Sequence, residues 1–276
     1  MIICAAPVRP LTVVVFAIAA SFGASPAAAQ VSVEVSPLRV ELQAGPGSST
    51  TQPITLTNYG KEAVRVRARL TDWDLTRDGT PQFEGAEMAG RYSATAWLRV
   101  APPEQVLEPG ASATVRFNAT VPDSVEPGGY RTGILFEFEA ASSAPIASRR
   151  ELAFKSRIAT LIYINAGAPP VLTELLDVKV RPTNEGIDVV ATVKNSGRRT
   201  VRTKGTLVLF DAAGAVARET AVPDVPLLPE SEREVAVPVA IAPATPLAPG
   251  RYRAELKLDL GLAAIIVGET PVTIAK

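Results

Sequence analysis

The chain of 276 residues has no histidine and one cysteine. Without histidine there is no Ser-His-Asp or Cys-His triad and no imidazole zinc site. Cys4 stands at the extreme N-terminus, so the remainder has neither a disulfide nor a thiol nucleophile. These absences point away from an enzyme. Charge of one sign is also missing, since 28 Lys+Arg balance 28 Asp+Glu. A nucleic-acid binder carries a basic excess that releases counterions from phosphate, so nucleic acid is not an expected partner. Long apolar runs are lacking too. The longest, Leu11 to Phe22, is too short to cross a hydrocarbon core of ~30 Å as a helix, and no integral membrane segment is expected after it.

That run follows Arg9 and precedes Ala27-Ala28-Ala29, the charged, apolar, small-residue order of a secretory leader, with cleavage expected after Ala29. Cys4 leaves with residues 1 to 29. One basic residue goes as well, giving 27 − 28 = −1 for the mature chain. An exported chain without mature cysteine fits a bacterial periplasm or cell exterior, because domains of more than a hundred residues can bury enough core without disulfide staples.

Aromatic residues are scarce at 5%, while 24 prolines and 19 glycines predict many short elements joined by turns. The mature sequence nearly repeats itself. ITLTN (Ile54 to Asn58) runs into Asn58-Tyr59-Gly60 and then a strand from Val64 to Leu70; VVATVKN (Val189 to Asn195) runs into Asn195-Ser196-Gly197 and a strand from Val201 to Phe210. Each half continues through a Leu-Pro type turn (Leu107-Glu108-Pro109-Gly110; Leu228-Pro229-Glu230). Each closes on Pro-Gly and a Tyr-Arg pair, Tyr130-Arg131 and Tyr252-Arg253. Pro109 to Tyr130 is 21 residues and Pro229 to Tyr252 is 23. Asn58 to Pro109 is 51 against 34 from Asn195 to Pro229, a surplus of 17 that falls between Thr71 and Thr95 and predicts a longer loop or an extra hairpin.

The periodicity is two. Val64, Val66, Ala68 and Leu70 alternate with Arg65, Arg67 and Arg69; Tyr252, Ala254, Leu256, Leu258 and Leu260 alternate with Arg253, Glu255, Lys257 and Asp259. No mature segment makes a convincing amphipathic helix. The expected fold is all-β: two tandem immunoglobulin-like sandwiches, residues 31 to 166 and 171 to 276, joined by a short proline-stiffened linker that restricts their angle.

Val35-Ser36-Pro37-Leu38-Arg39-Val40-Glu41-Leu42, ITLTN with its glycine turn, Trp97-Leu98-Arg99-Val100-Ala101-Pro102-Pro103 and LEPGASATVRF (Leu107 to Phe117) together resemble the N-terminal domain of PapD-like periplasmic pilus chaperones. The Trp97 segment and VPDSVEPGGYRTGILFE (Val121 to Glu137) are similar as well to immunoglobulin-like domains of bacterial cell-surface proteins, including the peptidoglycan-associated domain of WxL proteins. The chaperone resemblance implies a pilin-like protein partner, held by strand addition and by two cations on its C-terminal carboxylate. By position these are Arg39 and Arg157, the latter standing where the family has lysine. The pairing strand is then Ile158 to Ile164, with Ile158, Thr160, Ile162 and Ile164 as its alternating side chains. Being apolar on both faces, that strand suits either donation to a partner or cover by the adjoining domain. The second resemblance makes a wall polymer such as peptidoglycan the alternative partner. The second domain reads as a generic module, and no cofactor is expected.

Other features read as structural. Asp72, Asp74 and Asp78 miss the EF-hand spacing, with Thr76 and Arg77 where a ligand is needed, and are expected to cap turns. Arg65, Arg67 and Arg69, continued by Arg99, read as a solvated sheet face paired with glutamates of a neighbouring strand. Tyr130 and Tyr252 fit tyrosine corners. Asn118-Ala119-Thr120 is a sequon without meaning in a bacterial setting.

Overall fold

A computed structural model describes residues 32–83, 90–141, 156–240 and 246–274. The leader expected over residues 1 to 29 lies outside them. The chain runs through β1 (Val33–Ser36), β2 (Arg39–Ala44), β3 (Ser49–Asn58), β4 (Val64–Thr71), β5 (Asp74–Leu75), β6 (Pro81–Gln82), β7 (Leu98–Ala101), β8 (Glu104–Leu107), β9 (Ser112–Thr120), β10 (Gly128–Ala140) and β11 (Ser156–Ala166). It continues through β12 (Thr173–Pro182), β13 (Gly186–Asn195), β14 (Val201–Arg202), β15 (Lys204–Phe210), β16 (Val216–Ala221), β17 (Pro226–Leu227), β18 (Ser231–Ala240), β19 (Gly250–Asp259) and β20 (Ile266–Ile274). Among the described residues the only helical turns are two short 3-10 segments, Gly90–Tyr92 and Thr95–Trp97. The protein is all-β, with two immunoglobulin-like sandwiches in tandem.

The first sandwich packs the sheet β1-β3-β9-β7 on the sheet β2-β11-β10-β4-β8. The chain changes sheet between β1 and β2 and between β7 and β8, and the Ser36-Pro37 and Ala101-Pro102 bonds at those two places are cis. Alternation has its expected outcome on β4, where Val64, Val66 and Ala68 are buried and Arg65, Arg67 and Arg69 face outward. The core gathers Ile54, Leu56, Phe117, Ile134, Phe136, Phe138, Ile162 and Ile164, each fully buried. At about 1.5–3 kcal/mol per large side chain, this set supplies the main drive for the fold. A separate core fills the second sandwich around Val189, Val193, Leu207, Val237, Leu256 and Leu258. There β12-β13-β18 faces β16-β15-β19-β20.

The repeat in the sequence has a physical basis in two buried asparagines. Asn58 Nδ2 donates to the carbonyls of Glu62, Leu107 and Glu108, and its Oδ1 accepts from Gly60 N. Asn195 Nδ2 donates to Arg199, Leu227 and Leu228, and its Oδ1 accepts from Gly197 N. Each asparagine pins the turn after its own strand to the turn that opens the sandwich's later strand. The two tyrosines match as well, with Tyr130 Oη donating to Glu126 O at 2.8 Å and Tyr252 Oη to Ala248 O at 2.7 Å.

Two expectations are corrected. The strand expected from Val201 to Phe210 is broken at Thr203, whose N–H bonds to Val225 O, and its two pieces β14 and β15 belong to different sheets. Arg99 lies on β7, in the opposite sheet from Arg65, Arg67 and Arg69, so it does not continue their row. The surplus segment contains the hairpin β5–β6, one of the two forms expected for it, with its root on the first sandwich and its tip on the second.

Candidate functional site

The strand expected to pair with a partner is β11, and it is an edge for only part of its length. Its whole run pairs antiparallel with β10. From Leu161 to Ala166 its other side pairs in parallel with Arg39 to Ala44 of β2. Among the described residues, Ser156 to Thr160 have no strand on that side. Leu161 N donates to Leu38 O across the covered edge. Because amides two apart point the same way, the N–H and C=O groups of Ala159, like those of Leu161, lie on the side of β11 away from β10.

The candidate residues separate accordingly. Thr160, Ile162 and Ile164 are fully buried and Ile158 packs on the same core. Ile162 and Ile164 fall in the stretch closed by β2, so they cannot form a partner-facing edge. Their side chains are core, and the outward face of β11 is Arg157, Ala159, Leu161 and Tyr163. Of the two readings open for this strand, cover by the adjoining domain applies to its second half: Tyr163 and Leu161 pack with Trp73, Leu75 and Phe83 of the first sandwich and Leu228 of the second.

Arg39 and Arg157 are not brought together as one anchor. Arg39 pairs with Leu161, four residues along β11 from Arg157, or about 13 Å at the rise of an extended strand. Arg39 stands 3.4 Å from Glu41 and 4.0 Å from Asp224 of the second sandwich, and Arg202 binds both of those carboxylates, at 3.0 and 2.6 Å. It is a member of an interdomain charge cluster. Arg157 Nε lies 3.2 Å from Glu137, whose same oxygen takes Arg69 Nη2 at 2.8 Å.

This second arginine pair borders a groove of about 770 Å³, lined by Arg69, Arg157, Leu135, Ala159, Gln82 and Phe83. Both guanidiniums meet the Glu137 carboxylate there, with apolar walls beside them. Its chemistry suits an anionic group carried on an apolar chain. Sequence reasoning had Arg69 only as a solvated stripe residue. Its partnership with Arg157 depends on β4, β10 and β11 lying side by side, which no local pattern encodes. The rest of the stripe is paired as expected, Arg65 and Arg67 with Glu104 at 3.3 and 3.2 Å.

The acidic residues of the surplus segment are engaged locally. Asp72 Oδ1 accepts from Ser93 and Thr95 hydroxyls, Asp74 pairs with Arg131 at 2.9 Å, and Asp78 accepts from Thr76 and Thr80. Among the described residues no group of three or more His, Cys, Asp or Glu could hold a metal ion, and no helix is long and apolar enough to cross a membrane.

No protein-family model matches the chain, and no curated protein matches it. Similar solved structures include the YadV chaperone (14% identity, 87% of this chain and 99% of that one, TM-score 0.44). Another is the Salmonella enterica SafA pilin in complex with the SafB chaperone (13%, 89% and 97%, TM-score 0.44). A third is the E. coli chaperone DraB (13%, 88% and 98%, TM-score 0.41). These are likenesses of fold alone.

Proposed function

We propose that this chain is an exported, non-enzymatic chaperone-like factor that holds a surface or pilus subunit by pairing one of its strands with the open stretch of β11. The observation that carries this reading is that edge: among the described residues no strand covers Ser156 to Thr160 on the side away from β10, where the amide and carbonyl of Ala159 point out of the sheet beside an arginine-bordered apolar groove. A partner strand laid there extends the five-stranded sheet and meets Arg157 and Arg69 with its anionic end or side chain. Arg157 keeps its expected role as an anchor, while Arg39 serves the contact between the sandwiches.

The test is recovery of a subunit from the periplasm on the tagged chain, identified by mass spectrometry and then compared across variants. Ala159→Pro removes one outward amide while sparing the ladder to β10, and abolishes capture. Arg157→Ala weakens capture, and Arg39→Ala leaves it largely intact. A subunit recovered equally well by Ala159→Pro excludes strand pairing at this edge.

A further inference from the structure

The two sandwiches have separate cores and are covalently joined only by the short segment 167–172. One connection, even with Pro169 and Pro170 in it, leaves rotation about its own axis. A second contact away from that axis removes the rotation. Beside the linker, Gly129 N donates to Arg198 O at 2.6 Å. A Cβ at Gly129 would come within 2.5 Å of Thr200, so glycine is needed for this approach. Arg198 also pairs with Glu126 at 2.5 Å.

Besides the Arg39–Glu41–Arg202–Asp224 cluster, a contact away from the linker is made by the hairpin β5–β6. Its root is held in the first sandwich: Asp74 pairs with buried Arg131, Arg131 Nε donates to Trp73 O, and Trp73 Nε1 donates to Thr132 O at 2.7 Å. Its turn is stiffened by Asp78, by Thr80 N bonding to Thr76 Oγ1, and by Gly79 N bonding to Thr76 O. The tip reaches β18. Glu234 N donates to Arg77 O at 2.8 Å, on the side of β18 that, among the described residues, no strand covers. The Arg77 guanidinium lies 3.3 Å from Glu232. Gly79, at φ +91, lies so close over Arg233 that a Cβ would fall 2.0 Å from its Nη2.

We propose that this hairpin is an interdomain strut, which sets the angle between the sandwiches and so fixes the outer sheet face on which Arg69 and Arg157 stand. Among the described residues the second sandwich has no counterpart of the segment, and the tip of the hairpin makes its contacts on that second sandwich.

Spin labels at Tyr59→Cys and Val216→Cys, both exposed and one on each sandwich, report the angle as a distance distribution by double electron–electron resonance in a Cys4→Ser background. The parent gives one narrow distribution. Gly79→Val, which forces a side chain into Arg233, widens it at least twofold while the far-ultraviolet circular dichroism keeps its strand signal. Arg77→Glu sets like charge against Glu232 without touching either core, gives the same broadening, and keeps the test available if Gly79→Val does not fold. A parent distribution that is already broad, or an unchanged width in Arg77→Glu, overturns the proposal.

Discussion

Trp73 stands edge-on to Tyr163, ring centroids 5.1 Å apart at 78°, and Leu228 of the second sandwich closes over the pair. The corner between the sandwiches is filled by the chain's own side chains. Under the proposed function, a partner would meet the sheet face above this plug, toward Arg157, rather than the corner beside Arg39.

Burial pushes the Tyr163 hydroxyl up to about 12, above its usual value of 10.0. The folded chain holds this proton more tightly than the unfolded one, so the associated stability is whole below pH 10 and is lost as pH rises toward 12. A two-unit difference corresponds to about 2.7 kcal/mol. Urea unfolding at pH 9 and pH 11.5 should show this loss in the parent and a smaller one in Tyr163→Phe.

Asn58 and Asn195 each satisfy three carbonyls in a dry setting. Replacing either with alanine strands those acceptors, and should destabilise its sandwich by roughly 2–4 kcal/mol. Aspartate should be worse than alanine, because it turns an acceptor toward acceptors. Chemical denaturation of the four single variants checks both orderings.

Arginines on this protein differ greatly in worth. Arg131 is buried between Asp74 and the Trp73 carbonyl, so Arg131→Ala leaves a carboxylate and a carbonyl behind and should cost roughly 3–5 kcal/mol. Arg65→Ala loses an exposed pair with Glu104 and should leave the unfolding midpoint almost unmoved. Equal effects would mean that burial does not set the energetics of these pairs.

The tyrosine corners offer a paired measurement within one chain. Tyr130→Phe and Tyr252→Phe each delete one hydroxyl-to-carbonyl bond, worth about 1 kcal/mol. Tyr130 also sits against Trp97, with centroids 4.5 Å apart, and this ring packing survives the change. Differential scanning calorimetry should record small, similar shifts.

Much of the fold was legible because its signals are local. Alternation on β4 and β19, the two asparagine turns and the two Tyr-Arg pairs each follow from residues near one another in sequence. The break at Thr203 was not legible, since Val201 to Phe210 alternates well enough for one strand. It is a bond from Thr203 to Val225 that parts it. The site was less legible than the fold. Apolarity on both faces of β11 was visible, but which half another strand covers depends on where β2 joins it. Likewise Arg69, Glu137 and Arg157 come together only across three strands.

The brevity of the uncovered part of β11 limits how tightly anything can be held there. Among the described residues, Ala159 supplies one N–H and one C=O to that stretch, about 2 kcal/mol in all, which does not exceed the entropy lost in ordering an incoming segment. Backbone pairing alone then gives a grip that forms and dissolves without any energy source. Under the proposed function, the residence time of a bound strand would be set by the groove beside it.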